Sequence, residues 1–315
     1  MVNLSLVLDG MELTLNDIGE DELIRRLMRG VRLDAEVVLG AGDDCAVVRT
    51  ACEGSHLVLK TDAMVGDVHF TLEMPAELVG RKAIARVISD FAAMGATPRH
   101  ALITLVAPGR TEVKWLEDVY RGMRRVADEY GINLVGGETC RGNQIVLSIS
   151  MTGTVSVDRI LRRDGARVGD AIIVTGRLGG SLQGRHLTFE PRLAEGVWLA
   201  GRSEVHAVMD ISDGLAKDLP RMAVAAGLEF VIDEDSLPCG HGCSTSQAWS
   251  DGEDYELLMA VNAADVPNLM MDWNADFAAT SLSPIGFFVA PGQGVKPSLR
   301  GGGWDHFAAG STENA

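Results

Sequence analysis

The sequence has few aromatic residues and no apolar run long enough to cross a membrane. Phenylalanine, tryptophan and tyrosine together make up 5% of the 315 residues. No uninterrupted apolar stretch approaches the roughly 20 residues that a transmembrane helix needs. The N-terminus also lacks a basic region followed by an apolar one, which is the pattern of a signal peptide. We therefore expect a cytoplasmic protein that does not associate with membranes.

Basic residues are scarce relative to acidic ones. The chain has 28 lysines and arginines against 44 aspartates and glutamates, which gives a formal net charge of −16. Such a charge argues against a broad surface for nucleic acid or anionic membrane, because both would be repelled. We therefore expect no nucleic-acid partner, and any anionic substrate has to be bridged by cations.

Cysteine is present in an odd number. Five cysteines without a secretion signal indicate reduced thiols in a cytosol. One short segment, Cys239-Gly240-His241-Gly242-Cys243, places three soft metal ligands close together. A structural zinc site usually has a fourth ligand and a second ligand pair at a recognisable spacing, and none is evident. A loop is therefore favoured over a zinc site here.

The residues that are abundant indicate a globular chain with many tight turns. The sequence is 46% hydrophobic and 23% charged and contains 36 glycines. Its length suffices for two domains of ordinary size. Composition and the rhythm of apolar segments predict a boundary near Ser156, which gives domains of residues 1–155 and 156–315.

Apolar periodicity predicts alternating helices and strands. Thr111 is expected to cap one helix and Ser212 or Asp213 another, and Pro220 is expected to kink the latter or end its first part. The predicted helices are 16–29, 80–96, 111–130 and 212–226, and the predicted strands include 56–60, 100–107, 144–155, 171–174, 205–209, 229–232 and 257–261.

Acidic residues recur where predicted strands end. Asp210 follows an apolar strand, and Asp213 lies three residues later at the start of a predicted helix. Carboxylates in such a place suit a divalent cation and a phosphate, although turn and capping roles are the simpler explanation. Asp90 lies beside the apolar face of a helix, where either a salt bridge to Arg86 or a metal ion would compensate its charge.

The ordered set of motifs resembles the thiamine-monophosphate kinase family, in the superfamily of aminoimidazole ribonucleotide synthetase and selenophosphate synthetase. No single motif is decisive, but together they span nearly the whole chain in family order. The matching segments are residues 42–44, 61–62, 68–70, 89–96, 136–142, 165–170, 210–214, 252–257 and 304–307.

The resemblance implies both a fold and an activity. The fold is of α/β class (α+β type), with an N-terminal ATP- and metal-binding domain that forms a barrel-like interface in a homodimer, followed by a C-terminal α/β domain. The activity is ATP-dependent phosphorylation of thiamine monophosphate to thiamine diphosphate by direct transfer, assisted by several magnesium ions. Clustered carboxylates that collect magnesium also fit a protein of this negative charge.

The resemblance further implies the residues of the site. No residue is assigned a catalytic role beyond binding metal and phosphate. The metal site would comprise Asp44, Lys60, Thr61, Asp62, Asp90, Glu138, Asp210 and Asp213; ATP would be bound by Gly137, Glu138, Arg163 and Ser212, and thiamine phosphate by His69, Glu253 and Trp304.

Some positions depart from the family pattern. Lys60 stands where a small hydroxyl residue is usual, so its ammonium is expected to replace one cation or to contact a phosphate. Glu138 stands where aspartate is usual, and Asp67 occupies a slot that is more often small or neutral. Two alternatives therefore stay open: another ATP-using enzyme of the superfamily, or a non-catalytic protein that binds nucleotide or thiamine phosphate.

Overall fold

A computed structural model describes residues 14–299 and 302–307, in which helices and strands form two sheets with helical layers. The helices are α1 (Leu15–Leu27), α2 (Ala76–Ala93), α3 (Val113–Glu129), α4 (Leu193–Leu199), α5 (Leu215–Ala225), α6 (Thr245–Ser250) and α7 (Val266–Asp276). The strands are β1 (Val37–Leu39), β2 (Ala46–Arg49), β3 (Ser55–Val65), β4 (Thr97–Ala107), β5 (Asn133–Arg141), β6 (Val146–Ser156), β7 (Ala171–Thr175), β8 (Val205–Ile211), β9 (Glu229–Ile232), β10 (Glu256–Val261) and β11 (Leu282–Val289).

The first sheet has the strand order β1-β2-β3-β6-β4-β5. Its neighbours are antiparallel except β4 and β5, which are parallel because α3 carries the chain across between them. Helices α2 and α3 cover one face, and β5 forms an edge, so this sheet does not close on itself within the described chain.

Helix α2 lies at the centre of the molecule. Its side chains are buried along most of its length, and it contacts α3, α4 and β8. Glycines permit the close approach of α3: a Cβ at Gly80 would lie 1.9 Å from the carbonyl oxygen of Val119, and one at Gly122 would lie 1.9 Å from that of Glu77. These contacts fix the helix that carries several polar residues of the site.

The second sheet is entirely antiparallel, with the order β8-β10-β7-β11-β9. Helices α5 and α6 cover one face, and α4 and α7 cover the other together with the end of α2. Because both faces are covered, β7 and β10 are buried at every position. This burial explains why both strands are almost continuously apolar in sequence.

The predicted strand 229–232 is confirmed at both ends, but two predicted helix caps are wrong. Helix α3 begins after Glu112 without a side-chain cap, and α5 begins after Gly214. The Asp213 carboxylate instead pairs with Arg221 at 2.6 Å, and β8 extends through Asp210. Pro220 lies inside α5 without ending it. At α5 the ion pair with Arg221 thus takes the Asp213 carboxylate away from the capping role that its sequence position favours.

The mixed sheets and helices confirm the predicted fold class. A dimeric barrel-like interface stays a prediction. Among the helices of residues 14–299 and 302–307, none combines the length and apolar character that crossing a membrane requires.

Candidate active site

Three carboxylates converge where the two sheets meet. Asp44 precedes β2, Asp90 lies in the last turn of α2, and Asp210 lies in β8. One oxygen of each lies within 4.8 Å of the others, and all three residues are at least nine-tenths buried. The acid cluster, as we call these three residues, is therefore built from elements that are distant in the chain.

Burial and mutual repulsion make the acid cluster electrostatically unfavourable by itself. Burial raises the pKa of Asp210 to about 7, and the charge of Asp44 adds to this, although a hydrogen bond from Ser89 (2.7 Å) opposes it. Burial likewise raises the pKa of Asp90, against the opposing charge of Lys60. The Asp44 Oδ2 atom is buried without a hydrogen-bond partner. This donor set fits a hard divalent cation such as magnesium, which prefers carboxylate oxygens.

Basic side chains also reach the acid cluster. The Lys60 Nζ atom lies 2.5 Å from the Asp90 carboxylate and 3.1 Å from the carbonyl oxygen of Asp44. Arg163 donates a hydrogen bond to the Asp44 carboxylate. The salt bridge considered between Arg86 and Asp90 is not formed. The protein therefore supplies part of the positive charge that the acids require.

Arg86 pairs instead with Asp62 on β3, at 3.1 Å. Asp62 lines the same cavity as the acid cluster, and the loop that follows β8 closes it with Ser212 and Asp213. This acid pocket has a volume of about 340 Å³.

A second cavity, the apolar pocket, has a volume of about 420 Å³ and brings together the three predicted substrate residues. His69, Glu253 and Trp304 all line it, and the remaining lining includes Val68, Phe70, Met74 and Tyr255. The acid pocket and the apolar pocket adjoin, because five residues line both: Arg86, Ser212, Asp213, Tyr255 and His306. A charged group in one cavity can therefore lie next to a flat, largely apolar group in the other.

Family models match most of the chain. The N-terminal domain of AIR synthase related proteins matches residues 42–155, and their C-terminal domain matches residues 183–286. A thiamine-monophosphate kinase from Rhodopirellula baltica is 36% identical over 259 residues, which cover 77% of this chain and 82% of the relative. The chain belongs to the thiamine-monophosphate kinase family.

Other members of the thiamine-monophosphate kinase family match over greater lengths. The relative from Aquifex aeolicus is 31% identical over 93% of this chain and 99% of its own. A solved structure described as AaThiL complexed with AMPPCP and TMP superposes with a TM-score of 0.81 at 29% identity, covering 95% of this chain and 100% of that one. The kinase from Stenotrophomonas maltophilia superposes with a TM-score of 0.70 at 31% identity, covering 90% and 96%. These matches confirm the family resemblance.

Glu253 is held at the wall of the apolar pocket by residues that the family motifs did not identify. Its Oε2 atom lies 2.7 Å from the Lys82 Nζ atom and 3.0 Å from the His186 Nδ1 atom. Burial alone would raise the pKa of Glu253, but the hydrogen bond from His186 and the charge of Lys82 lower it to about 2. The carboxylate is therefore ionised at neutral pH.

A stripe of polar residues on α2 could have revealed Lys82 from the sequence. Lys82, Arg86, Ser89 and Asp90 recur at helical spacing beside the apolar face. The Lys82 side chain is completely buried, which for a lysine requires specific partners. His186 gave no such signal, since it lies in a short 3₁₀ turn far away in the chain.

Hydrogen bonds fix both His69 and Trp304 in the wall of the apolar pocket. The His69 Nδ1 atom accepts a hydrogen bond from the Val65 N–H (3.1 Å), and burial lowers the pKa of His69 to about 4, so its ring is neutral near pH 7. The Trp304 N–H donates to the Asp213 carbonyl (2.7 Å), and Lys217 donates to the Trp304 carbonyl (2.7 Å). Trp304 is thus fastened by its backbone, while its ring lines the pocket.

Three of the residues predicted to bind metal or nucleotide do not line the acid pocket. The Thr61 hydroxyl lies 3.1 Å from that of Ser150, on the face of β3 opposite to Asp62. Gly137 and Glu138 lie on the edge strand β5, separated from β3 by β6 and β4. Within one subunit these residues do not line the acid pocket, and their roles stay predictions.

The loop of residues 239–243 contains two of the five cysteines. Cys239 and Cys243 are free, and each thiol approaches a nearby backbone carbonyl. Within the described residues, the group of three or more potential metal ligands is the acid cluster and does not involve this loop.

Proposed function

We propose that the protein transfers the γ-phosphoryl group of ATP to thiamine monophosphate and releases thiamine diphosphate and ADP. The observation that carries this proposal is the junction of an acid pocket, suited to metal and phosphates, with an apolar pocket of a size suited to a thiamine ring. Family membership supports it, as does the superposition on a relative complexed with AMPPCP and TMP.

The acid pocket is proposed to receive the triphosphate. Magnesium, when bound, would neutralise the phosphate charges and hold them in place. The residues that would hold it are Asp44, Asp90 and Asp210, with Thr61, Asp62, Glu138 and Asp213 as further predicted ligands and Lys60 in the place of one cation. Arg163, Ser212, Gly137 and Glu138 are proposed to contact the nucleotide.

The apolar pocket is proposed to bind thiamine monophosphate. The thiazolium ring carries a permanent positive charge, and a tryptophan face such as that of Trp304 attracts cations. The ionised Glu253 carboxylate supplies a second favourable charge, and the neutral His69 ring adds no repulsion. The phosphate would then point towards the wall that the two pockets share.

The chemistry requires mainly positioning and charge neutralisation. The phosphate of the acceptor is already ionised near neutral pH, so its oxygen needs no strong general base. Arg163 and Lys60 place positive charge beside the acids, which reduces repulsion as the donor and acceptor phosphates approach.

A homodimer formed through the first sheet is part of the proposal. The sheet face opposite to α2 exposes Leu102 by 48%, and β5 is exposed along most of its length, including Val135 at 57%. An unpaired edge strand next to exposed apolar residues is a typical association surface. Thr61 lies on this face and Glu138 on this edge, so a partner subunit could bring them to a site. The division at Ser156 and a cytoplasmic location also remain predictions.

Product analysis tests the proposed reaction. Purified protein, ATP, magnesium and thiamine monophosphate are incubated, and the products are separated by chromatography. We expect thiamine diphosphate and ADP in equal amounts, and neither when the metal is chelated. ADP without thiamine diphosphate would instead indicate another ATP-using enzyme of the superfamily, and binding without turnover would indicate a sensor.

A further inference from the structure

Arg86 occupies a position that neither the acid cluster nor the family motifs explain. It lies on α2, one turn before Asp90, and its side chain is 12% exposed. Among the lysines and arginines that residues 14–299 and 302–307 include, Arg86 alone lines both the acid pocket and the apolar pocket. Its guanidinium therefore lies at the junction of the two cavities.

The guanidinium of Arg86 is incompletely paired. One Nη atom lies 3.1 Å from the Asp62 carboxylate, and the other lies 3.3 Å from the carbonyl oxygen of Ala63. The Nε atom is buried and has no hydrogen-bond partner. A guanidinium offers five donors, and a buried donor without a partner costs free energy. Because the Nε atom is buried, a ligand at this junction would accept hydrogen bonds from the Nη atoms, each of which carries two N–H groups.

The other lysines and arginines that line the acid pocket are placed differently. Lys60 is held by Asp90 at 2.5 Å, Arg163 donates to Asp44, and Arg221 pairs with Asp213 at 2.6 Å. None of these three residues lines the apolar pocket. A negative group carried by a molecule in the apolar pocket would therefore meet Arg86 before it meets them.

We propose that Arg86 binds the phosphate group of thiamine monophosphate and holds it at the junction of the two pockets. The inference rests on the proposed function, since it takes thiamine monophosphate as the occupant of the apolar pocket. An arginine fork matches two phosphate oxygens and provides directional hydrogen bonds that a lysine cannot reproduce. Arg86 would thereby fix the acceptor oxygen towards the nucleotide.

Comparison of two ligands isolates this contact. The affinities of thiamine monophosphate and of unphosphorylated thiamine are measured by titration calorimetry, with magnesium and a non-hydrolysable ATP analogue present. The wild-type protein should prefer thiamine monophosphate. Arg86→Gln should lose about 10- to 100-fold of that preference, the range for a hydrogen bond to a charged group, while its affinity for thiamine stays unchanged.

Arg81→Gln is the matched control. Arg81 lies on the same helix, pairs with Glu190, and lines neither pocket, so this variant should keep the wild-type preference. Arg86→Leu, which fills the buried space with apolar atoms, serves as a second variant in case Arg86→Gln does not fold, and thermal melts check both.

Two results would overturn the assignment of Arg86. A folded Arg86 variant that retains the preference for thiamine monophosphate, or one that loses both ligands equally, would make Arg86 a structural partner of Asp62 only. If either result is obtained and the wild-type protein still forms thiamine diphosphate, the inference about Arg86 fails while the proposed function stands. If the wild-type protein neither binds thiamine monophosphate nor forms product, both fail.

Discussion

The carboxylates of the acid cluster are unfavourable in the folded protein because they are buried and repel one another, and a bound cation would offset this cost. Asp44, Asp90 and Asp210 are buried close together, and Lys60 neutralises only part of their charge. In a protein without bound metal such repulsion destabilises the folded state. Function and stability should therefore respond in opposite directions when one of these charges is removed.

Asp210→Asn should lower kcat by about 100-fold or more, because metal ligands contribute several kcal/mol to stabilising the transition state. The same substitution should leave the melting temperature of the metal-free protein unchanged or higher, since it removes repulsion with Asp44. Steady-state kinetics and thermal melts in EDTA measure both effects. Asp272→Asn, on α7 and paired with Arg202, is the control. Near wild-type kcat for Asp210→Asn would reduce Asp210 to a structural role.

The pH dependence of stability tests the same charges. The pKa of Asp210 in the folded protein is about 7, above its ordinary value, so the folded state binds more protons and stability is lost as pH rises through 7. Asp254, whose burial raises its pKa to about 7, acts in the same direction. His69, whose pKa is lowered from 6.5 to about 4, and Lys82, whose pKa is lowered from 10.5 to about 8, act in the opposite direction, because their folded forms bind fewer protons. Their contributions raise stability as pH rises from 4 to 6.5 and from 8 to 10.5, and so fall mainly outside the interval between pH 6.5 and pH 8.

We therefore expect the melting temperature of the metal-free protein to fall between about pH 6.5 and pH 8. Asp210→Asn should reduce this slope, because the remaining decrease then comes from other carboxyls. Melts in EDTA across this range provide the measurement. A melting temperature that rises over the same interval would show that burial does not raise the pKa of Asp210 in the folded protein.

Trp304→Ala separates ligand contact from packing. Loss of a cation–π contact of about 0.5–2 kcal/mol should raise KM for thiamine monophosphate about 2- to 30-fold. KM for ATP should stay nearly unchanged, and Trp304→Phe should recover part of the loss. The measurement is steady-state kinetics with each substrate varied in turn. Equal losses for both substrates with a lower melting temperature would make Trp304 a packing anchor for the C-terminal segment.

At the scale of elements, α2 connects the fold to the site. It carries Arg86, which lines both pockets, Asp90, which lines the acid pocket, and Lys82 and Ser89, which contact Glu253 and Asp210. Its position depends on its close contact with α3. Displacement of this helix would therefore disturb both pockets together.

Gly122→Ala should destabilise the protein by about 3 kcal/mol or more, because the new Cβ would lie 1.9 Å from the Glu77 carbonyl oxygen and the helices must separate. Activity should fall as well, since α2 carries Asp90. Denaturant unfolding with parallel assays measures this. Gly109→Ala, whose Cβ would meet nothing within 4 Å, should change stability by less than about 0.5 kcal/mol. Equal stability of the two variants would mean that α2 tolerates displacement.

Elements were predictable from sequence where the pattern of apolar residues alone indicates them. Strand β9 and most of α2 follow from apolar runs and helical periodicity. The start of α5 was not, because Arg221 pairs with the Asp213 carboxylate that would otherwise cap the helix. Contacts between residues that are remote in the chain could not be predicted either: Lys82 donates a hydrogen bond to Glu253, which lies 171 positions further along the sequence. The motifs placed His69, Glu253 and Trp304 together, but nothing in the sequence showed that Arg86 lies between two cavities.

At the scale of the whole molecule, the net negative charge argues against association of two copies, whereas the exposed face of the first sheet favours it. The net charge of −16 disfavours non-specific association of two copies, because their surfaces repel each other. The outer face of the first sheet, with Leu102, offers a local apolar exception.

Light scattering at micromolar concentration should therefore give the mass of a dimer. Leu102→Lys should shift the protein towards monomer, because a charge would be buried in the interface. Val113→Lys, at a position on α3 that is 69% exposed, should leave the dimer intact. A wild-type monomer, or dissociation by Val113→Lys but not by Leu102→Lys, would contradict an interface on this sheet face.

The fate of the γ-phosphoryl group tests the central claim most directly. ATP labelled with ³²P at its γ-phosphate is incubated with thiamine monophosphate, magnesium and an excess of protein, and the reaction is stopped within one turnover. If the two adjoining pockets transfer phosphate directly, the label appears in thiamine diphosphate in step with ADP. Label released as inorganic phosphate, with no labelled thiamine diphosphate, would contradict direct transfer between the two pockets.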